Sequence, residues 1–182
     1  WIDKNGQDAP WKVENGYCES VPKTGNIHTR TEFGDCQLHL EFAKPDAPGD
    51  GNSGVFMMRK YEIQILNCHD HMTYADGIEG GLYGQCPPLV NACRPRQEWS
   101  AFDIIWIAPR FAGEQLMAPA YITVFLNGVL LHHMRALQGP TRFRALAQYT
   151  PQSSYGAIEL QDHGDPVRFR NIWCRPLSIY GN

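Results

Sequence analysis

Apolar and polar residues alternate along two short segments of this chain, residues 61–65 and 157–163. A period of two is the pattern of a β-strand, whose side chains point in turn to opposite faces of a sheet. The apolar side chains would face a core, and the polar ones would face away from it. The polar side carries Glu62, Gln64, Glu159, Gln161 and His163. If the two strands share that face, the sequence predicts a polar cleft on a sheet, suited to a polar ligand such as a sugar.

Period two dominates the whole chain, whereas helical periodicity is almost absent. We predict strands at residues 11–14, 26–29, 36–42, 53–58, 61–66, 101–107, 121–126, 129–132, 157–160 and 167–175. Asn127-Gly128 is the strongest turn signal, because a type I′ hairpin needs a positive φ at both central positions. About ten short strands without intervening helices predict an all-β antiparallel sandwich or jelly roll. The long segment 68–98 fits no strand, and its aromatic and glycine content predicts an ordered loop bordering a site.

Length and charge limit the class of protein. Residues 1–182 are expected to form a single domain. The formal net charge is −3 and no run of basic residues occurs, so no nucleic-acid partner is predicted. No apolar stretch approaches the roughly 18 residues that cross a membrane, so no spanning segment is predicted either.

The cysteines suggest disulfides and an oxidising location. The chain has six of them, and their spacing contains no C-x-x-C or zinc-finger pattern. The candidate pairs are Cys18 with Cys36, Cys86 with Cys93, and Cys68 with Cys174. Other pairings stay open, and several cysteines could instead be small buried apolar residues.

A set of motifs follows one order along nearly the whole chain. Among them are Asn52-Ser53-Gly54-Val55-Phe56, Tyr61-Glu62-Ile63-Gln64-Ile65, Leu82-Tyr83-Gly84-Gln85, Gly139-Pro140-Thr141, Leu160-Gln161-Asp162-His163-Gly164 and Pro166-Val167-Arg168-Phe169-Arg170-Asn171-Ile172-Trp173. Taken in this order, they resemble the signature of the 3-keto-disaccharide hydrolase domain family. The resemblance implies a concanavalin- or laminin-G-like jelly roll, in which two antiparallel sheets form a sandwich with a concave ligand-facing surface.

The resemblance also implies a location and an activity. Members of that family are typically secreted or periplasmic bacterial proteins, so an extracytoplasmic location is expected. The implied activity is cleavage of glycosides already oxidised to a ketone at sugar carbon 3, by hydrolysis or by elimination and hydration. The family's first strand has no counterpart before Trp1. An exposed sheet edge is therefore expected, through which copies of the chain could form a homo-oligomer.

The expected site residues follow from this chemistry. Glu62 and His163 are the catalytic candidates, as base and acid. Amide and guanidinium groups would bind hydroxyls or the ketone oxygen, and aromatic rings would stack on the sugar or donate a hydroxyl. The candidate substrate-binding residues are Asn52, Gln64, Tyr83, Trp99, Gln161 and Arg170.

Three alternatives stay open. Ordinary glycoside hydrolysis needs a second carboxyl group opposite Glu62. The candidates for that group are Glu159, Asp103 and Glu41. A non-catalytic, lectin-like carbohydrate-binding module would use the same concave face. A structural or assembly subunit of an extracellular complex would use the open sheet edge.

The residues predict no definite cofactor. His69 and His71 with Asp70, or His132 with His133, could bind a cation, although adjacent residues of a strand point to opposite faces. Calcium or another divalent cation in the Asp- and carbonyl-rich loops is the other expectation, although no loop has the regular spacing of a calcium motif.

Overall fold

The structure, a computed structural model, describes residues 1–46, 49–69, 73–143 and 145–177. Within these residues the regular structure is β, apart from one short 3-10 turn at Ala75–Gly77. The strands are β1 (Lys12–Glu14), β2 (Tyr17–Glu19), β3 (Ile27–Phe33), β4 (Cys36–Ala43), β5 (Ser53–Met57), β6 (Tyr61–Ile65), β7 (Ser100–Ile107), β8 (Arg110–Ala112), β9 (Gln115–Ala118), β10 (Tyr121–Leu126), β11 (Val129–Ala136), β12 (Gly156–Leu160) and β13 (Arg168–Pro176). The short strands β2, β8 and β9 were not predicted, and the predicted strand at 26–29 extends to Phe33.

Two antiparallel sheets form the sandwich. The larger sheet has the strand order β1-β2-β13-β4-β7-β10-β11, and the smaller one has the order β3-β12-β5-β6. Strands β8 and β9 pair as a separate small ribbon. The strand order departs from the chain order; for example, β13 lies between β2 and β4. This architecture confirms the predicted all-β jelly-roll sandwich.

Strand β4 shows how alternation builds the core between the sheets. Leu38, Leu40 and Phe42 are fully buried, while the residues between them are only half-buried. Ile63 and Ile65 of the smaller sheet belong to the same apolar cluster. Burial of each such side chain contributes roughly 1.5–3 kcal/mol, so the residues that face inward hold the two sheets together.

The long segment between β6 and β7 is anchored to the edge of β6. Gln64 N donates to the Gly81 carbonyl at 2.9 Å, and Gly80 N donates to the Gln64 carbonyl at 2.8 Å. Gly81 is required sterically, because a Cβ there would lie 2.7 Å from the Asp76 carbonyl oxygen. The ordered loop predicted from its composition is confirmed at these residues.

The other edge of the smaller sheet, β3, is also partly covered. Ile2 and His28 exchange both backbone hydrogen bonds at 2.9 Å. Ile2 therefore covers part of the β3 edge, and the expected homo-oligomer stays a prediction. No helix among the described residues is long and apolar enough to cross a membrane.

None of the predicted disulfides is present in the structure, where all six thiols are free. Cys18 and Cys36 are not neighbours, since β13 lies between their strands β2 and β4. Cys174 in β13 instead lies beside Cys36, and the two thiols share a hydrogen bond. Cys68 likewise interacts with Cys93. Long-range strand order, which the spacing of cysteines does not encode, decides these neighbours.

Candidate functional site

A polar cavity of about 490 Å³ opens on the outer face of the smaller sheet. Its floor comes from β5, β6 and the residues that follow β12, and its walls come from the β6–β7 segment and the loop after β11. The lining residues are Asp50, Asn52, Phe56, Glu62, Gln64, Leu66, Thr73, Tyr74, Tyr83, Thr141, Arg142, Phe143, Gln161 and His163. Six of the eight residues predicted for the site therefore line one cavity.

The alternation in β6 places Glu62 and Gln64 on the cavity floor. Tyr61, Ile63 and Ile65 are buried in the core on the opposite face of this strand. Gly54 of the neighbouring β5 leaves room for the glutamate, since a Cβ there would lie 2.7 Å from Glu62 Oε1. A small residue on β5 is thus needed for the position of this carboxyl group.

Glu62 is a buried carboxyl group with few stabilising partners. Its residue is only 7% exposed, and loss of hydration raises its pKa to about 7. With its amide oriented to satisfy both neighbours, Gln64 Nε2 donates to Glu62 Oε1 at 3.0 Å and to the Ser53 carbonyl at 3.2 Å. Among the described residues no cation forms an ion pair with Glu62. Glu62 can therefore gain and lose a proton near neutral pH.

Tyr83 and Tyr74 form one wall of the cavity. The Tyr74 hydroxyl donates to the Tyr83 hydroxyl at 2.8 Å, and the two rings meet edge to face. Burial, this hydrogen bond and the negative charge of Glu62 raise the pKa of Tyr83. Tyr83 therefore keeps its proton at neutral pH and can donate a hydrogen bond into the cavity.

Asn52, Gln161 and His163 complete the polar lining. The Gln161 backbone is fixed by hydrogen bonds with Gly54 and Ser53, and its Oε1 is buried without a hydrogen-bond partner among the described residues. Asn52 N donates to Asp165 Oδ2 at 2.8 Å, which fixes the loop before β5. His163 is exposed at the rim. The unpaired amide oxygen of Gln161 is a ready acceptor for a ligand hydroxyl.

The structure does not bring Trp99 and Arg170 to this cavity. Arg170 belongs to β13 of the larger sheet, and its guanidinium lies 3.9 Å from the centre of the Trp99 ring. Its Nε also donates to Glu41 Oε2 at 2.6 Å. Alternation along β13 and β4 places Arg170 and Glu41 on the outer face of the larger sheet. Sequence periodicity gave the correct exposure but could not say which of two sheets each strand joins.

The family model described as 3-keto-alpha-glucoside-1,2-lyase-like domain matches residues 1–175. The chain belongs to this family. The resemblance inferred from the ordered motifs is thereby confirmed, and the domain is related to carbohydrate-active proteins.

Solved structures of Parabacteroides distasonis ATCC 8503 proteins share the fold. One, named a "putative glycosyl hydrolase", has 37% identity and a TM-score of 0.91, over 96% of this chain and 77% of that chain. A second of the same name has 23% identity and a TM-score of 0.72, over 92% and 90% of the two chains. A third has 19% identity and a TM-score of 0.68, over 95% and 86%. Comparison with curated proteins gives no match.

The second carboxyl groups considered for ordinary hydrolysis are engaged elsewhere in this lyase-like domain. Asp103 Oδ1 lies 2.8 Å from His39 Nδ1 on the larger sheet, where Glu41 also pairs with Arg170. Glu159 shares the smaller sheet with Glu62 but accepts hydrogen bonds from Arg59 and Asn26. None of the three lines the cavity. Of the described lining residues, Asp50 is the other carboxylate.

Several lining residues of the lyase-like domain were not predicted. Phe56 lies directly opposite Glu62 in the β5–β6 register, so the alternation of β5 could have indicated it. Arg142 and Phe143 directly follow the Gly139-Pro140-Thr141 motif, but only the fold brings this loop to β6. Glu62 N donates to Thr141 Oγ1 at 2.9 Å, which joins the loop to the site.

The metal predictions have a mixed outcome in this domain. Asp70 and His71 lie outside the described residues. His132 is buried with Nε2 2.9 Å from the Gly80 carbonyl oxygen, whereas His133 is exposed. Across the described ranges, no three His, Cys, Asp or Glu side chains group in a way that could hold a metal ion. Calcium or another divalent cation stays a prediction.

Proposed function

We propose that this domain is an enzyme that cleaves glycosides bearing a ketone at sugar carbon 3, with Glu62 as the general base. The observation that carries this proposal is a buried carboxyl group whose pKa is raised to about 7, on the floor of a polar cavity. A base works best when its pKa is near the operating pH. Glu62 meets this condition through burial.

The reaction needs a proton acceptor more than it needs a pair of acids. A ketone at carbon 3 acidifies the proton on carbon 2, and Glu62 would remove that proton. The C–H electron pair then forms an enolate, which expels the group on carbon 1 and leaves a double bond between carbons 1 and 2. Addition of water across that double bond completes net hydrolysis.

Other lining groups suit the remaining charges of this reaction. The negative charge that develops on the ketone oxygen needs hydrogen-bond donors, which the Tyr83 hydroxyl and the Arg142 guanidinium could supply. The departing oxygen on carbon 1 needs a proton, and His163 at the rim is the candidate acid. Gln64 and Gln161 would bind sugar hydroxyls.

Ordinary hydrolysis has less support. It uses two carboxyl groups that flank the bond, about 5–5.5 Å apart for retention or about 6.5–9.5 Å apart for inversion. The three carboxylates first considered as partners of Glu62 are hydrogen-bonded outside the cavity. Asp50 is the remaining candidate, so an Asp50→Asn variant tests this mechanism separately.

A direct test follows product release from a 3-keto-disaccharide and from its unoxidised parent. Wild-type protein, Glu62→Gln and the control Glu159→Gln would be compared, because Glu159 is equally buried on the same sheet. We expect cleavage of the keto sugar alone, lost in Glu62→Gln and retained in Glu159→Gln. Cleavage of the parent sugar that is lost in Asp50→Asn would favour ordinary hydrolysis instead.

A carbohydrate-binding role is the second candidate. It is favoured by the aromatic rim, where Tyr74 is 55% exposed and Phe143 is 68% exposed, since such rings suit stacking on a sugar. Calorimetric titration with both sugars separates the two functions. Binding without cleavage, unchanged in Glu62→Gln, would favour the lectin-like module. The extracytoplasmic location stays a prediction, which fractionation of the source cells would check.

A further inference from the structure

A second cluster of reactive side chains lies outside the cavity, around Cys68 and Cys93. Cys68 follows β6 by three residues, and Cys93 lies near the far end of the same long segment. Cys68 N donates to Cys93 Sγ at 3.4 Å, and the two thiols share a side-chain hydrogen bond. The fold thus brings together two thiols that are distant in the sequence.

Asn91 holds the two cysteines in place. Its Oδ1 accepts from Cys93 N at 3.0 Å and from Cys68 Sγ at 3.4 Å. Its Nδ2 donates to the Cys68 carbonyl at 2.9 Å. A single side chain therefore holds the Cys68 and Cys93 backbones next to each other.

A buried cation sits beside one of the two thiols. Lys44 Nζ donates to Glu79 Oε2 at 2.5 Å and to Cys93 Sγ at 3.2 Å. Lys44 is only 1% exposed and Glu79 is fully buried, so no bulk water screens this ammonium group. Glu79 Oε1 has no hydrogen-bond partner among the described residues. The cluster therefore places a positive charge directly against the Cys93 sulfur.

The two thiols are not equivalent. The hydrogen bond from Cys68 and the charge of Lys44 lower the pKa of Cys93, whereas the same hydrogen bond and burial raise the pKa of Cys68. Cys93 is half-buried and Cys68 is buried. A reagent from solution would meet Cys93 first, and Cys68 would be the internal partner.

We propose that Cys68 and Cys93 form a redox-active pair, in which Cys93 reacts with a small-molecule disulfide and Cys68 then closes an intramolecular disulfide. In the first step the Cys93 thiolate attacks one sulfur of the reagent RSSR, and one RS⁻ leaves. In the second step Cys68 loses its proton and attacks Cys93 Sγ, and a second RS⁻ leaves. The two cysteines are oxidised, and one RSSR is reduced to two RSH.

The bridge would tie together the two ends of the segment that carries the cavity residues Tyr74 and Tyr83. Cross-linking such a segment restricts the unfolded chain, so the oxidised form should have the higher Tm. This inference does not depend on the proposed reaction, because it concerns the thiols alone and is read without any sugar substrate.

Alkylation of the reduced full chain gives the first test. Cys86 is the internal control, since it is also half-buried but has no lysine among its hydrogen-bond partners. Limiting iodoacetamide at pH 7, followed by peptide mass spectrometry, should label Cys93 about tenfold faster than Cys86. Equal or slower labelling of Cys93 would contradict the proposed activation.

Oxidation with glutathione disulfide gives the second test. We expect a linked peptide pair containing Cys68 and Cys93 in the wild-type chain, and a glutathione adduct on Cys93 that persists in Cys68→Ser. Cys93→Ser should leave Cys68 unmodified. If the oxidised wild-type chain shows no Cys68–Cys93 link, the proposal is overturned. Circular dichroism of each variant verifies that it folds.

Discussion

Glu62 and Glu159 differ in their partners although their positions are closely matched. Both lie on the outer face of the smaller sheet, one on each side of Phe56 in the same row of strand partners. Both are 7% exposed. Glu159 accepts from Arg59 Nε and from Asn26 Nδ2, each at 2.8 Å. Glu62 has the Gln64 amide and a cavity in front of it. The partners of a carboxyl group, and not its burial alone, therefore decide whether it is available for chemistry.

The energetic reason is the hydration that a carboxylate loses on burial. Glu159 has the opposing charge of Arg59 at 2.8 Å. Burial of Glu62 raises its pKa from 4.5 to about 7. A rise of that size corresponds to about 3 kcal/mol against the ionised form in the folded protein. A carboxylate held at this disadvantage takes up a proton readily.

Catalysis should distinguish the two glutamates most strongly. Glu62→Gln should lower kcat/KM for a 3-keto-disaccharide by about 10³-fold, because an amide cannot accept the carbon-bound proton. Glu159→Gln should change kcat/KM by less than about tenfold, since Glu159 lies outside the cavity. Steady-state kinetics on both variants checks this. Equal losses in the two variants would mean that the distinction between the two glutamates is wrong.

The next largest difference should be in how the stabilities of Glu62→Gln and the wild type depend on pH. Because the pKa of Glu62 is higher in the folded than in the unfolded chain, the folded state holds more protons between pH 4.5 and about 7, and stability falls as pH rises through that window. Glu62→Gln does not lose stability in this window, because its amide does not ionise. At pH 8 we therefore expect Glu62→Gln to be more stable than the wild type by up to about 3 kcal/mol. Urea unfolding at pH 5 and pH 8 measures the difference, and a gap that does not widen with pH would contradict it.

Glu159→Gln should change the stability in the opposite direction. It removes the charge that pairs with Arg59, and Arg59 remains half-exposed to water. A hydrogen bond to a charged group is worth about 1.5–3 kcal/mol, and exposure of Arg59 to water reduces that, so we expect a loss of about 1–2 kcal/mol at pH 8. Urea unfolding at pH 8 measures it. A gain in stability would show that this pair does not offset the burial of Glu159.

A change at Gly54, on the strand next to Glu62, should have the weakest effect. In Gly54→Ala the new Cβ would lie 2.7 Å from Glu62 Oε1, so the carboxyl group must move. We expect kcat/KM to fall by about tenfold with little loss of Tm. In a Glu62→Gln background the same change should lower kcat/KM no further, because its effect passes through Glu62. Additive losses in the double variant would indicate a different cause.

The sequence predicted the local features of this fold well. The alternation of residues 61–65 correctly separated the core face from the polar face of β6. The Asn127-Gly128 hairpin is present with φ of 54° and 79°, as a type I′ turn requires. These features depend on neighbours along the chain, so the order of residues is enough to indicate them.

The predictions that did not match the structure concern features that depend on which segments become neighbours. Arg170 alternates correctly but belongs to the other sheet, where it stacks on Trp99. Cys36 and Cys174 become neighbours because β13 is inserted between β2 and β4. Arg142 reaches the cavity through a loop that no local pattern connects to β6. Packing of distant segments decides these positions, and a single sequence does not show it.

Proton exchange at sugar carbon 2 tests whether Glu62 is the base. A 3-keto-disaccharide would be incubated in D₂O with wild-type protein, Glu62→Gln or Glu159→Gln, and deuterium at carbon 2 followed by NMR. We predict incorporation with wild-type protein and Glu159→Gln, and none above background with Glu62→Gln. Cleavage by the wild-type protein at full rate with hydrogen retained at carbon 2, or undiminished exchange in Glu62→Gln, would contradict the assignment of Glu62 as the base.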